Sequence, residues 1–301
     1  MEKRTLTPLQ NLRYLGESAG FFLLMGIFKA LGIDAASAFG GWIGRHIFIH
    51  LPPAKIARRN LHAAFPEKDE AWHRATVLEM FDNLGRVVAE YPHLDKFKLG
   101  ERVEMVGAEN GHAAIAKGKG VMFVAGHFAN WEALHIAGQQ EGYDGRIVFR
   151  APNNPYVDRW IARQRGYLGP TEQIEKGPRG TRQIFTALRR GQSIFLLADQ
   201  KTGQGILVPF FGRDAKTTPA PATLALRMGA ALVPAWCERT RGAHFRVHIF
   251  PELQFTPSGD FDADMARLTA EITQVIEANV RRKPAYWLWI HRRWPEAKKQ
   301  K

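Results

Sequence analysis

The stretch Val121-Met-Phe-Val-Ala-Gly126-His127 constrains this chain more than any other. An apolar run rich in β-formers ends in a glycine, and a histidine follows at once. The run, 121–125, reads as a buried strand, and 131–140 reads as the helix after it. His127 then stands where a strand hands over to a helix, just outside the carboxyl end of a sheet. Open α/β sheets carry their chemistry at that place.

The chain around it repeats the same unit. From Val103 onward, strand patterns at 103–106, 121–125, 146–149, 193–198, 207–211, 231–236 and 245–250 alternate with helical patterns at 108–117, 156–165, 180–190, 220–228 and 262–282. Repeated β-α units predict an α/β fold with a mostly parallel central sheet flanked by helices. Two helices precede it, at 55–64 and 69–91. In the second, Trp72, Val77, Met80, Phe81, Leu84, Val87, Val88 and Tyr91 recur at steps of three and four, which gives one buried face.

The first fifty residues are harder to place. Gly32 followed by Asp34 reads as a helix stop and a new start, dividing the segment into helices at 8–31 and 35–51 before Pro52-Pro53. Lys29 and Asp34 interrupt the apolar run, so no stretch reaches the roughly 18–20 apolar residues of a standard spanning helix. Three readings stay open: a cleaved signal, a buried helix pair, and a membrane anchor. Ala36-Ser37-Ala38 resembles a cleavage site, but Glu2, Glu17 and Lys29 argue against a signal. For the anchor, Lys29 near a helix end can snorkel, and Arg45, Lys55, Arg58 and Arg59 suit an anionic leaflet. The expected organisation is a membrane-associated helical segment over 1–51 and an α/β domain over 52–301.

The charge is strongly one-sided. Lys and Arg number 42 against 29 Asp and Glu, a net of +13 and a pI near 10.0. A polyanionic partner fits this balance, whether nucleic acid, anionic membrane or phosphorylated substrate; so does a merely solvated basic surface. No nucleic-acid module is recognisable. The single cysteine, Cys237, lies in an apolar run and reads as a small buried hydrophobe. No Cys/His group has zinc-site spacing.

His127 and Glu132 are the candidate catalytic pair. A carboxylate beside an imidazole holds its tautomer and stabilises the imidazolium formed on proton uptake. Residues five apart do not face each other on one helix, so the pairing requires His127 before the helix and Glu132 in its first turn. The alternative is a histidine bonded to loop backbone, with Glu132 favouring the helix N-terminus. No serine or cysteine sits in a nucleophile elbow, which suits a hydroxyl supplied by the substrate. Arg150, Asp199-Gln200, and Arg163 with Arg165 close other predicted elements and could hold phosphate or developing negative charge. Arg179, Arg182, Arg189 and Arg190 make a basic helix, either a docking face for an acidic carrier or a solvated surface.

Taken together, these blocks resemble the late acyltransferases of bacterial lipid A biosynthesis, a branch of the glycerolipid acyltransferase superfamily. Gly126-His127-Phe-Ala-Asn-Trp-Glu132 is similar to the family's His-x4-Asp/Glu motif. Asn60-Leu-His-Ala-Ala-Phe-Pro66-Glu67, Val148-Phe-Arg150-Ala-Pro-Asn-Asn154-Pro155, Ala198-Asp199-Gln200, Val208-Pro-Phe-Phe-Gly212, Met228-Gly-Ala-Ala-Leu-Val-Pro234 and Trp287-Leu-Trp289-Ile-His291-Arg-Arg-Trp294 resemble its other blocks. Lys201 departs from the acidic residue that many relatives carry after Asp-Gln. The resemblance implies acyl transfer from acyl-carrier protein to a hydroxyl of an anionic, phosphorylated glycolipid, at the cytoplasmic face of the bacterial inner membrane. A lysophospholipid or other glycolipid acceptor is the alternative. It implies His127 as base, Glu132 as its orienting partner, and Arg150, Asn154, Arg165 and Asp199 as residues shaping the substrate site. It implies no metal and no organic cofactor, and it favours the membrane anchor for 1–51.

Overall fold

A computed structural model describes residues 6–166 and 173–294. Helix α1 (Pro8–Leu31) starts at a capping box, in which Thr7 Oγ1 accepts from Gln10 N and Thr7 N donates to Gln10 Oε1. It ends at Gly32, whose φ of 72° favours glycine. Helix α2 (Ile33–His46) follows at once, then α3 (Pro53–Ala64) and α4 (Glu70–Glu90).

Glycines set how α2 and α4 meet. A Cβ on Gly44 would run into the Phe81 carbonyl, and one on Gly85 into the Gly40 carbonyl. The two backbones therefore pack at a distance that no side chain allows, which locks α2 to the body of the protein. Helix α1 is attached differently. It buries only Ser18, Met25 and Phe28, while Leu9, Leu12, Leu15, Phe22, Leu23, Ile27 and Leu31 are exposed. By length and composition α1 could cross a membrane. Lys29 has partners within the protein: its Nζ donates to the Pro92 carbonyl at 2.6 Å and lies 3.4 Å from Asp95.

The α/β body carries β1 (Val103–Val106), α5 (Ala108–Ala116), β2 (Val121–Ala125), α6 (Glu132–Gln140), β3 (Gly145–Phe149), α7 (Pro155–Arg165), β4 (Gln173–Glu175), α8 (Pro178–Arg189) and β5 (Ser193–Leu197). The hairpin β6 (Lys201–Phe210) and β7 (Arg213–Thr217) comes next, then α9 (Ala220–Met228), β8 (Ala231–Arg241), β9 (His244–Ile249) and α10 (Phe261–Arg282). The main sheet has the order β1-β9-β8-β2-β5-β3-β4. Strands β8 to β4 are mutually parallel, and β8–β9 is the antiparallel pair. The fold is thus the mostly parallel, helix-flanked sheet that the alternation predicts.

Three features go beyond that pattern. β4 is too short to show a period; β7 reads as a polar loop; and β9, with no helix before it, returns beside β8 as an antiparallel hairpin. The central strand β2 is buried throughout, with Met122 and Val124 in one apolar layer and Val121, Phe123 and Ala125 in the other. A strand covered on both faces reads as a continuous apolar run.

Candidate active site

Register brings the site together. β2 and β5 are parallel neighbours with Ala125 opposite Leu197, and Ala198 N donates to the Ala125 carbonyl at 2.9 Å. Two residues beyond each strand stand His127 and Asp199. His127 Nδ1 lies 2.7 Å from Asp199 Oδ1, and the His127 backbone N–H donates to Asp199 Oδ2 at 2.8 Å. Trp287 Nε1 donates to the same Oδ2 at 2.7 Å. Asp199 is buried, which by itself would raise its pKa. The His127 imidazole, its hydrogen bonds and the Trp287 indole outweigh burial and hold the carboxyl well below the usual carboxylate range. An ionised carboxylate can only accept, so Nδ1 carries a proton, and in the neutral tautomer this sets, Nε2 is the nitrogen with the lone pair.

Glu132 is placed elsewhere, which corrects the expected His127–Glu132 pairing. Arg165 grips it with two bonds, Nε to Oε2 at 2.9 Å and a terminal nitrogen to Oε1 at 2.6 Å. The Tyr91 hydroxyl donates to Oε1 at 2.6 Å, and His135 Nδ1 lies 3.6 Å from Oε2. Burial would raise Glu132, but Arg165 dominates and holds it down to about 2. The reason is geometric. Glu132 opens α6 and meets Arg165 of α7, while the carboxylate that reaches His127 comes from the end of the adjacent strand. Arg165 is therefore spent on Glu132 and stacks over Phe149, 5.5 Å from the ring centroid.

Asn154, expected in the substrate site, joins α7 to α1. Its Oδ1 accepts from Tyr156 N at 3.0 Å as the cap of α7, and its Nδ2 donates to the Tyr14 carbonyl on α1 at 2.9 Å. Ser18 Oγ donates to Asn154 Oδ1 as well. Arg150 is exposed and stands on the wall of a cavity of about 350 Å³, together with Lys176. Burial and neighbouring Arg150 lower Lys176 against the opposing pull of Asp199.

The cavity opens beside His127 and runs past Trp131, Leu134, Ile147, Phe195 and Leu197. Its lining mixes these apolar side chains with the Tyr91–Glu132–Arg165–His135 cluster. Among the described residues that line it, none is a serine, threonine or cysteine. Cys237 is buried away from it, and burial pushes its thiol up to about 12.

Gln200, singled out from sequence beside Asp199, joins the site, and residues that were not singled out support it. Gln200 places its amide nitrogen 3.2 Å from His127 Nε2 and 2.7 Å from His291 Nε2. Burial, and then the neighbouring His127, lowers His291, so His291 is neutral and accepts that bond. The loop after His127 is held at Ala129, a non-glycine residue with φ of 46°. Ala129 N donates to the Tyr286 carbonyl at 2.9 Å, and Asn83 Nδ2 donates to the Ala129 carbonyl at 3.1 Å. Leu288 N donates to the His127 carbonyl at 3.1 Å, and Phe128 bridges Trp287. The tryptophan-rich C-terminal segment thus clamps both His127 and Asp199. Its aromatic density was the available signal.

A family model described as bacterial lipid A biosynthesis acyltransferase matches residues 2–296. The chain is 28% identical over 247 residues to a lipid A biosynthesis palmitoleoyltransferase of Escherichia coli, covering 79% of this chain and 77% of that one. It is 27% identical over 252 residues to an E. coli lipid A biosynthesis lauroyltransferase, covering 80% and 78%. It is also similar to a phosphatidylinositol mannoside acyltransferase of Mycolicibacterium smegmatis, at 24% over 246 residues, covering 81% and 75%. With a match across nearly its whole length, the chain belongs to the bacterial lipid A biosynthesis acyltransferase family.

Proposed function

We propose that this protein transfers a fatty acyl group from the thioester of acyl-carrier protein to a hydroxyl of a phosphorylated lipid A precursor. The observation that carries the reading is the His127–Asp199 pair, with His127 lining a cavity whose described lining offers no serine, threonine or cysteine. Asp199 fixes the tautomer, and His127 Nε2 takes the proton of the acceptor hydroxyl. The hydroxyl oxygen attacks the thioester carbon, the C–S bond breaks, and the imidazolium returns its proton to the leaving thiolate. Gln200 must turn from His127 Nε2 to admit the acceptor, and its amide is then free to donate to the developing oxyanion. Arg150 and Lys176 supply positive charge for phosphate at the mouth. The cavity volume is in the range of small-ligand sites, and its apolar lining residues, Trp131, Leu134, Ile147, Phe195 and Leu197 among them, suit an acyl chain.

The exposed apolar face of α1 and the net charge of +13 support a place on the anionic cytoplasmic face of the bacterial inner membrane. The likeness to a phosphatidylinositol mannoside acyltransferase supports a second reading, in which the acceptor is another glycolipid. An assay with acyl-carrier proteins of different chain length, offered a lipid A precursor or a lysoglycolipid and read by mass, separates the two. Acylation of neither acceptor would sink both.

A further inference from the structure

α3 and α4 are joined by a tight turn, residues 65–69, and three potential metal ligands meet across it. His62 comes from α3, and Glu70 and His73 come from the first turn of α4. One donor atom from each lies within 4.8 Å of the others. His62 Nε2 is 3.1 Å from Glu70 Oε2, and the His62 and His73 rings lie 3.8 Å apart between centroids.

His73 shows what is missing. It is 2% exposed. Its Nε2 faces the Phe65 carbonyl at 3.1 Å, and a carbonyl only accepts, so Nε2 carries the proton. Nδ1 is then a bare lone pair, buried and without a hydrogen-bond partner among the described residues. A buried acceptor left unmade costs about 1–3 kcal/mol. A histidine whose far nitrogen donates to a backbone carbonyl is also the usual arrangement of a metal ligand, because that bond fixes the tautomer and ring orientation.

We propose that His62, Glu70 and His73 form a binding site for a divalent transition metal, with zinc as the ion of best fit. Two imidazoles and one carboxylate are ligands zinc accepts, with water in the fourth position. Bond lengths of about 2.0–2.2 Å put tetrahedral donor atoms roughly 3.3–3.6 Å apart. The His62 and His73 rings are stacked with 27° between their planes, so His62 must turn out of the stack and the donor atoms close by up to about 1 Å; His62 and Glu70 can move because their side chains are 46% and 66% exposed. The ion would staple α3 to α4. Two residues from His62, Asn60 Nδ2 donates to the Trp289 and His291 carbonyls at 2.8 and 2.5 Å. The staple thus stiffens the helix that holds the C-terminal clamp, and it takes no part in acyl transfer.

The test uses the full chain, stripped with chelator and titrated with zinc. Calorimetry should find one ion per chain, and zinc should raise the melting temperature, reversed by chelator. His62→Gln and Glu70→Gln are exposed changes that keep the fold. Each should weaken zinc binding by more than the ~10–100-fold that loss of an outer-shell partner costs and should abolish the melting shift. His112→Gln, which breaks an exposed His–Glu pair elsewhere, should change neither. The proposal is overturned if zinc leaves the melting temperature of the unmodified protein unchanged. It is equally overturned if His62→Gln and Glu70→Gln retain the full shift.

Discussion

Asp199 meets His127 from the end of the neighbouring strand, with 2.7 Å between Oδ1 and Nδ1 across a sequence separation of 72 residues. That contact makes Asp199→Asn a sharper probe than any change at Glu132. The amide can donate to Nδ1 and reverse the tautomer, which moves the proton to the nitrogen meant to act as base. A loss of about 10²–10⁴-fold in kcat is expected, similar to His127→Ala, with circular dichroism unchanged. Near-normal turnover in either variant would remove the mechanism.

Glu132→Gln should act by another route. It leaves the Arg165 guanidinium buried without its carboxylate, a change that costs about 3–5 kcal/mol. Replacing both partners by apolar groups of similar volume should cost much less. Urea unfolding of the two variants checks this. In Glu132→Gln the surviving activity should keep the pH dependence of the unmodified enzyme, since His127 retains Asp199.

Acid should weaken the protein in two windows. Burial holds the His135 imidazole down to about 4, against an ordinary value of 6.5. The unfolded chain therefore binds the extra proton first, and stability falls as pH drops from about 6.5 toward 4, by on the order of 3 kcal/mol. Glu132, held near 2 against an ordinary 4.5, contributes fully above about 4.5 and loses that contribution as pH falls toward 2. Urea midpoints measured between pH 7 and 4 should show the first window, and His135→Gln should flatten it. An unchanged slope in that variant would refute the assignment.

The contact between α2 and α4 should tolerate no side chain at its centre. Gly85→Val places two methyl groups where the Gly40 carbonyl stands. Overpacking of this kind costs about 1–3 kcal/mol, read as a lowered melting temperature. Gly16→Ala, on α1 where a Cβ meets nothing within 4 Å, should leave it unchanged or slightly raised.

Leu12 and Leu23 are 68% and 69% exposed on α1. Leu12→Glu together with Leu23→Glu should reduce flotation with anionic vesicles while leaving soluble-phase melting unaffected. Equal flotation of both proteins would remove α1 as the membrane-contacting element.

The helices and most strands were legible because their signals are local. The three- and four-residue steps from Val77 to Val88, the unbroken apolar run of β2 and the stops at Gly32 and Gly229 each act within a few residues. β4 and β7 escaped because three residues carry no period and Arg213–Thr217 is polar.

The sequence by itself determined the β-α alternation, the position of His127 beyond a central strand, and the apolar character of α1. Periodicity and turn chemistry specify these without long-range contacts. Which carboxylate orients His127 was decided only by the tertiary structure. Glu132 is near in sequence but belongs to a helix that turns toward Arg165. Asp199 is distant in sequence but lies two residues past Leu197, which parallel pairing sets against Ala125. Asn154, Gln200 and Trp287 took their roles from the same source: hydrogen bonds between segments that only packing brings within reach.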